Sequence, residues 1–165
     1  MPKIYSGDAQ PAEEARFAIV VARYNEAITG KLLAGALETF AARNVAESAI
    51  DVAWVPGAWE LPLLAQEFAA SRDYDAVICL GAVIRGETTH DQHINTQVSH
   101  SLGQIALATG VPVLMGVLTC NSYEQAEARS GGAVGNKGSE CALAALEMAN
   151  LLTKIRESEG GRLGF

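Results

Sequence analysis

Residues 76–90 read AVICLGAVIRGETTH, and the fold follows from this stretch. Its first nine residues are apolar without a break and rich in Val and Ile. That is the composition of a strand covered on both faces, not of a half-solvated one. The last residues turn polar, bend at Gly86 and run into a helical pattern. A strand with no wet face needs helices on both sides, so the flanking sequence must supply them.

Upstream, residues 17–22 (FAIVVA) form a second buried strand, and the period then changes. Ile28, Leu32, Ala36 and Phe40 fall on one stripe of a helix over residues 27–43. Residues 50–55 read as a strand closed by Pro56-Gly57, and residues 59–70 as a helix with Leu61, Leu64, Ala65 and Phe68 on one side. Downstream, a helix over residues 91–109 ends at Gly110 and Pro112. Residues 113–118 make a fourth strand. Ser122 is placed to cap a short helix over residues 123–129, with Gln125 three positions on. A glycine-rich connection (SGGAVGNKG, residues 130–138) leads into a last helix over residues 137–157.

Strands alternating with helices predict an α/β fold, a four-stranded parallel sheet flanked by helices on both faces. The whole of residues 1–165 reads as one domain with an ordered core of about residues 15–157 and loosely held ends, residues 1–13 and 159–165. In such sheets the ligand crevice lies beyond the carboxyl ends of the strands. That rule selects residues 23–25, 56–60, 81–90 and 119–122.

A formal net charge of −7 argues against a nucleic-acid partner, since a phosphate backbone calls for a basic surface. The three cysteines, Cys79, Cys120 and Cys141, are odd in number and include no CxxC pair, as expected of reduced thiols in the cytoplasm. No apolar run approaches the roughly 18 residues of a membrane span, and the first residues lack a signal-like apolar core.

The segment 81–90 is the densest in chemistry. Thr88 or Thr89 can cap the following helix, whose first amides and dipole favour an anion. His90 beside such a site suits proton transfer near neutral pH, and equally reads as a solvated helix start. His90, His93 and His100 lie within about 80° of one another around a helix of about 3.6 residues per turn, but span nearly three turns, too far for one metal ion. The glycine-rich connection matches neither a Walker A loop nor GxGxxG and reads as a link between helices, although Arg129 and Lys137 at its ends can hold a phosphate. Tyr24 and Trp59 follow two different strands and suit the walls of a pocket for a flat heterocycle, with Glu60 accepting from a ring amide. Packing is the plainer reading of both aromatics.

Taken together, ARYNEAITGKLLAGAL, VPGAWELP, LGAVIRGETTH, GVLTCNSYEQAEARSG and GNKGSECALAALEM resemble the lumazine synthases in order and spacing, over about residues 17–155. The resemblance implies a flavodoxin-like three-layer sandwich and condensation of 5-amino-6-(D-ribitylamino)uracil with 3,4-dihydroxy-2-butanone 4-phosphate, without metal or organic cofactor. It implies a homo-oligomer built from pentamers with active sites between subunits, and a riboflavin synthase partner. By position, Tyr24, Asn25, Ala58, Trp59, Glu60, Ala82, Val83, Ile84 and Met115 would bind the ribitylaminouracil. Glu87, Thr88 and Arg129 would bind the phosphate, with Arg85 and Lys137 supporting them, and His90 would transfer protons. Met115 and Arg129 would come from the neighbouring subunit. After His90 the family commonly reads aromatic-acid-aromatic, whereas here Asp91-Gln92-His93 follows. That departure leaves a second reading, a paralogue that binds lumazine or flavin, or builds a shell, with little turnover.

Overall fold

A computed structural model describes residues 1–160 of the 165-residue chain. Four strands, β1 (Phe17–Ala22), β2 (Ile50–Val55), β3 (Ala76–Ile84) and β4 (Val113–Cys120), pair in the order β2-β1-β3-β4, all parallel. The helices are α1 (Glu26–Ala42), α2 (Leu61–Ser71), α3 (His90–Thr109), α4 (Tyr123–Ala128) and α5 (Lys137–Gly160). This is the flavodoxin-like three-layer arrangement, with the chain reversing its direction of travel across the sheet between β1 and β3.

The layers follow from the two-residue period of strands. Phe17, Ile19 and Val21 point to one face, where Ile28, Leu32 and Phe40 of α1 and Ala142, Ala145 and Leu146 of α5 cover them. Ala18, Val20 and Ala22 point to the other, against Leu61, Ala65 and Ala69 of α2 and Val98, Leu102 and Ile105 of α3. Every residue of β1 is buried, which is why it reads as an unbroken apolar run. The rings of Phe17 and Phe40 stack 4.8 Å apart and fasten α1 to the sheet. Among the described residues no helix is long and apolar enough to cross a membrane.

Three local features differ from the sequence expectation. The glycine-rich connection is an antiparallel hairpin, β5 (Ser130–Gly132) with β6 (Gly135–Asn136), not an open loop. Gly131 and Gly135 sit at φ 108° and 90°, conformations that need glycine. Residues 58–60 form a short 3-10 turn before α2. The amino-terminal stretch, expected to be loose, lies along α5. Asp8 N donates to Asn150 Oδ1 at 3.1 Å, Lys154 Nζ donates to the Ser6 carbonyl at 3.1 Å, and Lys3 Nζ donates to Ser158 Oγ at 3.0 Å. Residues 150, 154 and 158 recur every four positions, so one stripe of α5 supplies all three partners. Of the carboxyl-terminal stretch, Glu159 and Gly160 still belong to α5, and the remainder lies outside the described residues.

Candidate active site

The loops leaving β1, β2 and β3 meet the start of α3 around one cavity of about 520 Å³. Three of the four strand ends selected from sequence thus come together. The β1 end gives Tyr24, the β2 end gives Pro56, Gly57, Ala58, Trp59 and Glu60, and the β3 end gives Ala82, Val83, Ile84, Gly86 and Thr88. His90, Asp91 and Ile94 of α3 complete the wall. The fourth strand end, residues 119–122, is not part of it. Thr119 and Cys120 line a separate depression of about 300 Å³. The reason is topological. β4 is the edge strand on the far side of β3, while the cavity sits beside the α2/α3 layer over the ends of β2, β1 and β3, toward the opposite edge of the sheet.

Each cavity residue is held by local geometry. Backbone bonds from Arg23 N to the Val55 carbonyl (2.7 Å) and from Tyr24 N to the Pro56 carbonyl (3.0 Å) tie the β1 end to the β2 end. Tyr24 and Trp59 remain 73% and 56% exposed. Aromatic rings left this open at a cavity mouth are available to stack on a flat ligand. Gly57 packs close to the Glu60 carboxylate: a Cβ there would come within 3.2 Å of Glu60 Oε2. At the start of α3, Thr88 Oγ1 accepts from His90 N at 3.3 Å. Thr89 occupies the cap position but makes no side-chain cap bond, so of the two threonines offered as caps it is Thr88 that engages an amide. His90 is exposed at the cavity wall. Asp91 Oδ1 and Asn95 Oδ1 are buried acceptors one turn apart that find no protein donor.

Several residues taken from the family pattern lie elsewhere in the chain. Glu87 is exposed beside Thr88 but outside the cavity wall, as is Arg85, whose amide bonds the Cys120 carbonyl at 2.8 Å. Met115 sits midway along β4, opposite Cys79, packed against the α2/α3 layer. Arg129 and Lys137 share the second depression with Glu140, Val134 and Cys120. The hairpin presents both. Arg129 Nη1 donates to the Gln125 carbonyl at 3.1 Å, and Lys137 N donates to the Arg129 carbonyl at 2.9 Å. Asn136 anchors the hairpin. Its Oδ1 accepts from Gly138 N at 2.8 Å and Ser139 N at 3.2 Å, capping α5, and its Nδ2 donates to the Lys31 carbonyl at 3.0 Å. Ser122 caps α4 as expected, accepting from Gln125 N at 3.2 Å, and Gln125 Oε1 accepts from Asn121 N at 2.8 Å.

Pro56, Gly57, Gly86, Asp91 and Ile94 line the cavity without having been singled out as binding residues. For the last two the signal was present: with His90 they recur at helical spacing on one face of α3. Among the described residues no three His, Cys, Asp or Glu side chains converge as a metal site would require. The thiols are inert by environment. Burial pushes Cys141 up to about 11, with Lys137 opposing, and raises Cys79 further still. Burial also raises Cys120, against the pull of Arg129.

A cavity with aromatic rings at its mouth, a carboxylate and strand-end backbone in its wall, and an imidazole at a helix start is suited to binding a planar polar heterocycle and moving protons on it. The model of the family described as 6,7-dimethyl-8-ribityllumazine synthase matches residues 14–153, which include every residue of that cavity wall. The chain belongs to the 6,7-dimethyl-8-ribityllumazine synthase family.

Proposed function

We propose that the protein condenses 5-amino-6-(D-ribitylamino)uracil with 3,4-dihydroxy-2-butanone 4-phosphate to give 6,7-dimethyl-8-ribityllumazine, two waters and inorganic phosphate. The observation that carries this reading is the convergence of Tyr24, Trp59, Glu60, Ala82, Thr88 and His90 on one cavity in a member of this family. The pyrimidine stacks between the aromatic rings, and Glu60 and strand-end backbone bond its amide edge. The 5-amino group attacks the ketone and loses water to form an imine. Elimination then expels phosphate, the enol formed becomes a ketone, and the ribityl-bearing nitrogen closes the ring with loss of the second water. His90 relays the protons that these steps move. The protein's main contribution is to hold two reactants in the orientation for attack.

Arg129 takes the phosphate together with Glu87 and Thr88 at the start of α3, where backbone amides and the helix dipole favour an anion, and Lys137 supports Arg129. Within one chain Arg129 opens into a different depression from the one that holds His90. A site that needs both groups is therefore built from two copies, with Arg129 and Met115 of one chain meeting His90 of the next around a ring of five. Each copy uses one surface to give and another to receive, the head-to-tail contact that closes rings.

Mixing the purified protein with both substrates and following lumazine fluorescence tests the activity. Lumazine should form well above the rate of the unassisted reaction. Tight binding of added lumazine without any such acceleration would instead make the chain a carrier.

A further inference from the structure

We infer that Asn25 is a positioning residue, which fastens the loop bearing Tyr24 to the end of β3 and so sets the spacing between two walls of the cavity. The loop after β1 has neighbours on both sides. Toward β2 the backbone alone holds it, through the bonds of Arg23 and Tyr24 to the carbonyls of Val55 and Pro56. Toward β3 the backbone ladder stops at Val21 opposite Leu80, while β3 runs on to Ile84. The cavity-lining end of β3 thus projects beyond its pairing with β1.

Asn25 spans that gap. Its Nδ2 donates to the Ala82 carbonyl at 2.8 Å, a partly buried bond between residues 57 apart in sequence. The same residue sits in the left-handed region, φ 61° and ψ 46°, and its carbonyl accepts from Ile28 N at 2.9 Å and Thr29 N at 3.0 Å, starting α1. Asn is among the few residues other than Gly that enter this region readily. Asn25 is not in the cavity wall, whereas the residue before it, Tyr24, and its partner, Ala82, both are. It reaches a bound ring through them.

Its consequence for catalysis rests on the proposed reaction, so the test has one arm that needs no substrate. Asn25→Gly keeps the left-handed backbone and removes the amide. Asn25→Asp keeps the shape and sets an oxygen against the Ala82 carbonyl. Hydrogen exchange at the Tyr24, Ile28 and Thr29 amides should quicken about fivefold in Asn25→Gly, the change one neutral hydrogen bond corresponds to, with the rest of the sheet unaltered. In the assay, KM for the ribitylaminouracil should rise by about the same factor in Asn25→Gly and more in Asn25→Asp, with kcat little changed, because ring binding weakens alike before and during reaction. Unchanged exchange in both variants would overturn the inference. So would a collapse of kcat with exchange unchanged, which would place Asn25 on the reacting atoms. If the unaltered protein made no lumazine, the proposed reaction would fall, and the exchange arm would still decide the role of Asn25.

Discussion

The two ends of the sheet are built on opposite principles. At the amino ends of the strands, the polar groups satisfy one another. Arg16, just before β1, holds Asp51 of β2 at 2.7 Å, and Tyr74, just before β3, donates to the same carboxylate at 2.7 Å. The Arg16 amide donates to Asp75 Oδ2 at 2.9 Å, and the Asp75 amide returns a bond to the Arg16 carbonyl at 2.8 Å. The hydrogen bond to Asp51 raises the Tyr74 phenol above its ordinary value, as expected of a proton held between partners. At the carboxyl ends, Tyr24 and Trp59 stand open, His90 lines a cavity, and Asp91 Oδ1 and Asn95 Oδ1 have no protein donor. Groups paired with each other contribute to stability. Groups left unpaired around a cavity are available to a ligand, at a cost in stability that the rest of the fold offsets.

If that division is right, substitutions at the two ends should separate cleanly. The largest effect belongs to His90→Ala, which should lower turnover on the order of 100-fold without abolishing it, because orientation of the reactants survives. Folding, followed by circular dichroism, should be unchanged. Arg129→Ala comes next. Loss of a charged hydrogen bond to phosphate should raise KM for the sugar phosphate roughly tenfold or more, with little change in KM for the pyrimidine. A response to the sugar phosphate identical to that of the unaltered protein would remove Arg129 from the site.

At the other end, Asp51→Ala should lower the unfolding free energy by about 1 kcal/mol, because the ion pair is half exposed, and leave kcat and KM intact. Urea midpoints beside the assay would show it. The smallest effect is alkaline. Cys141 is raised from 9.0 to about 11, so the folded state keeps a proton that the unfolded state gives up. Stability from this group is therefore whole below pH 9 and declines as pH rises through the interval, by about 0.8 kcal/mol at pH 9.5. Cys141→Ala should flatten that decline, whatever its effect at neutral pH.

Much of this was legible in the sequence. β1 and β3 are buried on both faces, and burial on both faces leaves an unbroken apolar run as its trace. The helices show because each covers the sheet with a stripe, as Ile28, Leu32, Ala36 and Phe40 do on α1. The rule that crevices lie at strand ends found Tyr24, Trp59 and the segment after β3. It overreached at residues 119–122, because it cannot tell which strand ends one crevice gathers: the cavity takes the ends of β2, β1 and β3 and stops short of β4. The hairpin of residues 130–136 was hidden by its glycines, which signal freedom and not direction, so the part played by Asn136 in holding it was invisible. The partner of Asn25 was equally hidden, since nothing local in YNE points to a carbonyl 57 residues on. The separation of Arg129 from His90 is a property of three dimensions. Sequence could offer it only through resemblance.

The account turns on a site shared between copies, and mixing two disabled proteins tests that most directly. His90→Ala and Arg129→Ala, each feeble alone at sugar phosphate far below the KM of the Arg129 variant, should be unfolded together in equal amounts, refolded and assayed for lumazine at that concentration. Where one chain's His90 faces the next chain's Arg129, random assembly restores both groups at about a quarter of the sites, and activity should rise toward about a quarter of the unaltered protein's. A mixture no more active than the average of its two components would contradict the shared site.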